Sequence, residues 1–232
     1  MKVLLINGSH KSIAAEDRNS WVKYLIIKFT RKMKELYPTA EITTIRLQDY
    51  TTLFCTGCGV CVAPGISCPQ DKEEGDQVQE IMERMEDSDV VILATPVYCM
   101  NVTGRMKVFL DRLTHYFFQP RMMGKIGGTI ISSGGLGNKD TSEYLKNILL
   151  TMGMEYAGEM DTEVIKPDDA SATKLVERII DIYEKRASYE PTSEDKMIFQ
   201  SIRDRIVNNK ARTMNNYEYW KEKSILEGEY YY

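Results

Sequence analysis

Four of the five cysteines fall together as Cys55, Cys58, Cys61 and Cys68, spaced C-x2-C-x2-C-x6-C, with Gly57, Gly59 and Gly65 between them and Pro69 directly after. Glycines at these places permit tight turns, so one short loop can aim three thiolates at a single point, as a cubane iron–sulfur cluster requires. Two other chemistries use the same side chains. Zinc takes four thiolates, although a structural zinc site usually separates two Cys pairs by a longer span. Thiol–disulfide switching is the other. The fifth, Cys99, lies outside this spacing and reads as a packing residue or a contact to a ligand.

Two further stretches have the composition of ligand loops. Asn7-Gly8-Ser9-His10-Lys11 is followed, after a polar stretch, by Arg18-Asn19-Ser20 at the start of an amphipathic run. Backbone N–H groups, hydroxyls and a cation at a helix N-terminus suit a dianionic phosphate; an ordinary strand-to-helix turn with a Ser N-cap has the same residues. Ala94-Thr95-Pro96-Val97-Tyr98-Cys99-Met100-Asn101 is the second. Pro96 holds an extended turn, and Tyr98 can lie against a flat ring or stand as a surface aromatic. The chain has two histidines, His10 and His115, and no Gly-x-Ser-x-Gly, which argues against a serine hydrolase. His10 sits in the phosphate-type loop, while His115 reads as a packed or surface residue. Asp111 and Arg112 read as structural polar contacts, and Met82, Met85 and Met106 as core.

The elements that must position these loops follow from periodicity. Lys2 to Ile6 is a short apolar run cut by Gly8-Ser9 and reads as a buried strand. Trp21, Val22, Leu25, Ile26, Phe29, Met33 and Leu36 recur at three- and four-residue spacing, one face of a helix ended by Pro38. The alternation continues with strands at 41–47, 89–95, 125–133 and 154–164 and helices at 75–85, 104–117, 141–152, 170–189 and 192–209. Strands alternating with helices imply a doubly wound parallel sheet. Five strands fit a flavodoxin-like α/β fold of order 2-1-3-4-5, with ligands at the carboxyl ends of the strands where the order reverses. The expected organisation is residues 1–190 as this domain, a Cys-rich loop at 54–70, and a C-terminal helical and aromatic tail at 191–232. The tail's Tyr217, Tyr219, Trp220, Tyr230, Tyr231 and Tyr232 cannot bury themselves alone and should pack on the domain or on a second subunit.

A length of 232 residues allows one sizeable core, and a net charge of −4 with interspersed signs offers no footprint for nucleic acid or an anionic membrane. A small-molecule partner is the better default. Neither a signal-peptide core nor a membrane span is evident, so a cytoplasmic location is expected, where clustered thiols more often serve metal or redox chemistry than disulfides.

The opening strand with its Gly-Ser loop, the Thr95-Pro96-Val97-Tyr98 segment and the following Lys107-x-Phe109-x-Asp111-Arg112 resemble the NADPH-dependent FMN reductase family, and within it the iron–sulfur flavoproteins. The resemblance implies that Ser9, Lys11, Asn19 and Ser20 hold an FMN phosphate. It implies that Thr95, Pro96, Val97, Tyr98, Cys99, Met100 and Asn101 flank the isoalloxazine, and that Ser133, Gly134 and Gly135 close over its other side. The stretch from Ser9 to Asn19 is longer than the family's usual Gly-Ser-x-Arg loop, and Lys11 stands where Arg is commoner. Iron–sulfur flavoproteins carry the compact cysteine motif in this place, which implies a [4Fe–4S] cluster on Cys55, Cys58, Cys61 and Cys68 passing electrons to FMN. Other members of the family keep a similar Cys-rich loop reduced and hold no cluster, so both readings stand. The implied activity is an FMN-dependent oxidoreductase using NAD(P)H or another donor, with a ferredoxin or quinone as acceptor and a homodimer or homotetramer as the assembly. An electron-carrier flavoprotein and a cysteine-based redox sensor are the alternatives.

Overall fold

In the computed structural model, which describes residues 1–10, 20–162 and 169–231, the apolar runs become five strands. These are β1 (Lys2–Asn7), β2 (Glu41–Arg46), β3 (Val90–Pro96), β4 (Ile126–Ser132) and β5 (Glu155–Thr162). All are parallel, in the order β2-β1-β3-β4-β5. The central strands β1, β3 and β4 are buried almost throughout because helices cover both faces, so they read as continuous apolar runs rather than alternating ones.

Helix α1 (Trp21–Leu36) buries Val22, Leu25, Ile26, Phe29 and Met33 on one stripe, and its N-cap Ser20 accepts a hydrogen bond from the Lys23 N–H. Together with α6 (Asp169–Tyr183) it covers one face of the sheet. The other face is covered by α2 (Val78–Glu86), α3 (Gly104–Arg112) and α5 (Asn138–Thr151), with Met82, Met85 and Met106 all in that core. Among the described residues no helix is long and apolar enough to cross a membrane.

Several boundaries differ from those expected, among them the start of α5 at Asn138 rather than 141; three have a local cause. The helix expected over 104–117 is two pieces, α3 and a single turn α4 (His115–Phe118). No Gly or Pro marks the break; instead the Thr114 hydroxyl donates to the Asp111 carbonyl at 2.7 Å, competing with the helical ladder. Helix α6 stops at Tyr183 because Lys185 takes a left-handed φ of 59°, a conformation usually signalled by glycine. Helix α2 starts at Val78 rather than Gly75, with the Asp76 carboxylate accepting from the Val78 N–H.

After residue 190 come α7 (Ser193–Asn208) and α8 (Met214–Glu222). Phe199, Ile206, Trp220, Tyr230 and Tyr231 bury themselves against Phe118 in a separate aromatic core, so the tail packs on its own chain. The Trp220 Nε1–H donates to the Phe118 carbonyl at 2.7 Å, and the Tyr231 hydroxyl to the Thr151 carbonyl at 2.9 Å. A capping box starts α7: the Asp195 N–H donates to the Thr192 hydroxyl, and the Asp195 carboxylate accepts from the Thr192 N–H and the Tyr189 hydroxyl. Burial works against the charge of Asp195, but Tyr189, Thr192 and Lys146 outweigh it and hold the carboxyl below its ordinary range. A depressed carboxylate adds stability that is present above its unfolded pKa and lost as pH falls through the folded one. Asp195→Asn should therefore cost about 1–2 kcal/mol at neutral pH, and the deficit should shrink below about pH 4, as read from urea unfolding across a pH series.

Candidate functional site

The strand order reverses between β1 and β3, and the loops leaving their carboxyl ends diverge to leave a crevice there. The first loop is held on the protein side. The Ser9 N–H donates to Asn7 Oδ1 at 2.9 Å, and the Gly8 carbonyl accepts from the Thr103 hydroxyl at 2.7 Å. Gly8 is required by contact: a Cβ there would stand 2.9 Å from the Met106 Cβ. Thr103 also caps α3 by accepting from the Met106 N–H, so one hydroxyl ties the first loop to the start of α3.

A cleft of about 210 Å³ opens above these strand ends, lined by Ser9, Ser20, Pro96, Tyr98, Ser133 and Gly134, with Val97 beside them. Residues expected from three separated loops are thus brought together. Trp21 and Val22 at the start of α1, and Ser132, also line the cleft and carried no signal beyond their place next to expected residues. Lys11 and Asn19 lie outside the described residues. Thr95 turns inward and is fully buried; its hydroxyl donates to the Pro96 carbonyl and accepts from the Thr103 N–H. Gly135 donates its N–H to the Ser133 hydroxyl at 3.0 Å, shaping the loop after β4.

The loop after β3 is a tight hairpin. Tyr98 and Asn101 exchange both backbone hydrogen bonds, 2.9 and 3.1 Å, around Cys99 and Met100 at φ of 51° and 66°. Two successive left-handed residues are the geometry of a type I′ turn, which neither side chain favours. Cys99 and Met100 are exposed at its tip, and the Tyr98 ring stacks near His10 with centroids 6.1 Å apart. Larger cavities exist, the first of about 550 Å³ along β5 between α5 and α6, but it lies away from this reversal point and from the cysteines.

A second site forms at the far end of α3. Cys55, Cys58, Cys61 and Cys68, all free thiols, line one narrow cavity of about 20 Å³ together with Gln70, Asp111, Arg112 and His115. The thiols surround the space without closing on a single point: among the described residues no three His, Cys, Asp or Glu side chains converge as ligands of one metal ion. The backbone N–H of Val60 lowers the Cys58 thiol pKa, whereas burial and the neighbouring thiols raise that of Cys61.

What holds this loop is the guanidinium of Arg112, whose side chain is fully buried. Its Nη1 donates to Asp76 Oδ2 at 2.6 Å and to the Leu53 carbonyl at 3.2 Å, and its Nη2 donates to Asp71 Oδ1 at 2.8 Å. Leu53 precedes the cysteines and Asp71 and Asp76 follow them, so one side chain gathers both ends of the loop. Burial disfavours the Arg112 charge, but Asp76 and Asp71 outweigh it and keep the group protonated. Burial pushes the Asp71 carboxyl up against the pull of Arg112. From the other side, Asn216 on α8 donates to the Val62 carbonyl at 3.0 Å, and Gln119 donates to Gly65 O and Asn216 Oδ1, both at 3.0 Å. Asp111, by contrast, pairs with Lys107 on the helix surface. Burial brings the His115 pKa down to about 4, so the imidazole is neutral near pH 7.

Comparison with known proteins places this geometry. The sequence profile of the NADPH-dependent FMN reductase family matches residues 1–166. The chain belongs to that family. An iron-sulfur flavoprotein of Archaeoglobus fulgidus is 34% identical over 202 residues, covering 84% of this chain and 90% of that protein. An iron-sulfur flavoprotein of Methanocaldococcus jannaschii is 30% identical over 52% of this chain and 61% of that protein. Among solved structures, an NADH:FMN oxidoreductase (EMOB, apo form) superposes with a TM-score of 0.54 at 20% identity, covering 82% of this chain and 91% of that one, a likeness of fold. As an FMN reductase family member the protein is an FMN-dependent oxidoreductase that uses NAD(P)H.

The sequence singled out the loops after β1 and β3 and the cysteines as candidates, but not the residues that anchor them. Arg112 was legible as part of a motif, whereas Asp71, Asp76, Gln119 and Asn216 carried no signal because their partners lie far away in sequence. Arg112→Leu leaves two buried carboxylates without a counter-charge and should destabilise the apo-protein by about 3–5 kcal/mol. Unfolding in guanidinium chloride reads this, and the Cys61 and Cys68 thiols should react faster with an aromatic disulfide reagent in the same variant.

Proposed function

We propose that the protein is an iron–sulfur flavoprotein oxidoreductase: FMN lies in the cleft at the β1/β3 reversal, a [4Fe–4S] cluster is held by Cys55, Cys58, Cys61 and Cys68, and electrons from NAD(P)H or another donor pass between them to an acceptor. The observation that carries this reading is that a single helix links the two sites. Thr103 at its start is bonded to the loop that lines the cleft, and Arg112 at its end gathers the cysteine loop. Helix α3 has nine residues, a length of about 13 Å.

On the cleft side, Ser9, Ser20 and the N-terminus of α1 line the end suited to a phosphate, with Lys11 and Asn19 assigned to the same role. Pro96, Val97 and Tyr98 form one wall for a planar ring, with the hairpin of Cys99, Met100 and Asn101 following them in the chain, and Ser133 and Gly134 form the other, with Gly135 next in the same loop. FMN bound there supplies hydride and one-electron chemistry, and the protein supplies binding, orientation and access to one ring face.

On the cysteine side, the donor set suits a thiolate-held cluster. The space between the thiols is narrow, and the loop can adjust around it: Gly57 and Gly59 sit at positive φ with open surroundings. Lys107 and Arg112 place positive charge near Cys55 and Cys68, which favours an anionic group between the thiols.

Protein purified without oxygen should release FMN on denaturation, contain iron and acid-labile sulfide in a 1:1 ratio, and oxidise NAD(P)H with a quinone as acceptor. Cys61→Ser and Cys68→Ser should lose iron and sulfide while keeping FMN. A preparation that retains FMN but contains no acid-labile sulfide after anaerobic reconstitution overturns the cluster reading and leaves the flavin enzyme alone.

A further inference from the structure

Among the described residues, two that line the cysteine cavity each carry a buried nitrogen without a well-formed hydrogen bond, Nε of Arg112 and Nδ1 of His115, the imidazole having only the Arg112 backbone within reach. Both side chains are deeply buried. Their placement is a product of the helix break at Leu113-Thr114: α3 ends at Arg112, α4 begins at His115, and the turn between them presents both residues to the loop. The Arg112 fork is spent on Asp71, Asp76 and Leu53, which leaves only Nε–H for another acceptor. The His115 ring packs edge-on against Tyr116, centroids 4.5 Å apart, which fixes its plane.

We propose that His115 Nδ1–H and Arg112 Nε–H donate hydrogen bonds to sulfur at the cluster site and set its reduction potential. This rests on the cluster reading above and goes beyond it by naming the residues that tune it. The physical reason is charge. Reduction adds an electron to a sulfur-rich anion, so an N–H aimed at sulfur stabilises the reduced state more than the oxidised one and raises the potential. A neutral imidazole carries one proton, and an anionic sulfur beside Nδ1 selects the tautomer with the proton on that nitrogen. Arg112 thereby has two tasks, anchoring the loop through its terminal nitrogens and donating through Nε; His115 has only the second, which makes it the cleaner residue to alter.

The test is a redox titration of the full-length, anaerobically reconstituted protein, with the cluster followed by electron paramagnetic resonance and the flavin by absorbance. His115→Leu removes the donor and should favour the oxidised state roughly tenfold, a shift of the cluster potential by about 59 mV to more negative values for one electron. The flavin potential and the FMN content should stay as in the wild type. His115→Asn, whose amide nitrogen sits near the place of Nδ1, should recover most of the shift, and His115→Gln, which reaches the place of Nε2, should not. A His115→Leu protein with full iron and sulfide content and an unchanged cluster potential overturns the inference. If that variant fails to hold the cluster, the Asn and Gln variants decide, and equal potentials for the two overturn it. Wild-type protein lacking iron and sulfide overturns the cluster reading itself, and that outcome is recognised before any potential is measured.

Discussion

The buried guanidinium of Arg112 is the contact on which the second half of this molecule depends. A fully buried charge persists only when its desolvation is offset by close counter-charges and hydrogen bonds. Arg112 obtains the counter-charges from Asp71 and Asp76, and its terminal nitrogens bond to them and to the Leu53 carbonyl; these are the residues that bracket the four cysteines. The stability of the core and the shape of the cysteine loop are therefore one problem rather than two. A loop of Gly, Cys and small polar residues has too little apolar surface to order itself; it borrows order from a cation rooted in a helix that the sheet holds in place.

The same helix connects that loop to the cleft at the β1/β3 reversal. Its first turn is capped by Thr103, whose hydroxyl also holds the Gly8 carbonyl, and its last residue is Arg112. Buried Met106 and Phe109 fix the helix against the sheet between these ends. A rod with a loop at each end keeps the cleft and the cysteine loop at a constant separation, since neither loop has to find the other through flexible chain. The C-terminal aromatic core adds a second brace, with Asn216 on α8 reaching the Val62 carbonyl and Trp220 locking α8 to Phe118. The part of the chain beyond the family match is thus in contact with the cysteine loop.

What the sequence determined by itself was whatever is encoded locally. Alternating short apolar runs and helical stripes specify parallel strands and crossover helices, and the handedness and compactness of such units leave few sheet orders, of which 2-1-3-4-5 is the one observed. Loop chemistry was equally local: Gly-Ser after β1, Pro-Val-Tyr after β3 and the Cys spacing from Cys55 to Cys68 are each read within one short stretch of chain. The helix ends without glycine or proline were not legible, because at Thr114 a side-chain hydroxyl and at Lys185 a strained left-handed residue do what those residues usually signal.

Only the tertiary structure decided which side chains stand together. Arg112 meets Asp76 across 36 residues of sequence and Leu53 across 59, and Asn216 meets Val62 across 154. Periodicity has no term for such pairs, since a single Asp or Asn looks the same whether it ends in solvent or beside a buried cation. The clustered thiols were visible in the sequence as a motif; the two buried nitrogens of Arg112 and His115 became visible only once folding had removed water from both and placed the two residues along the same cavity.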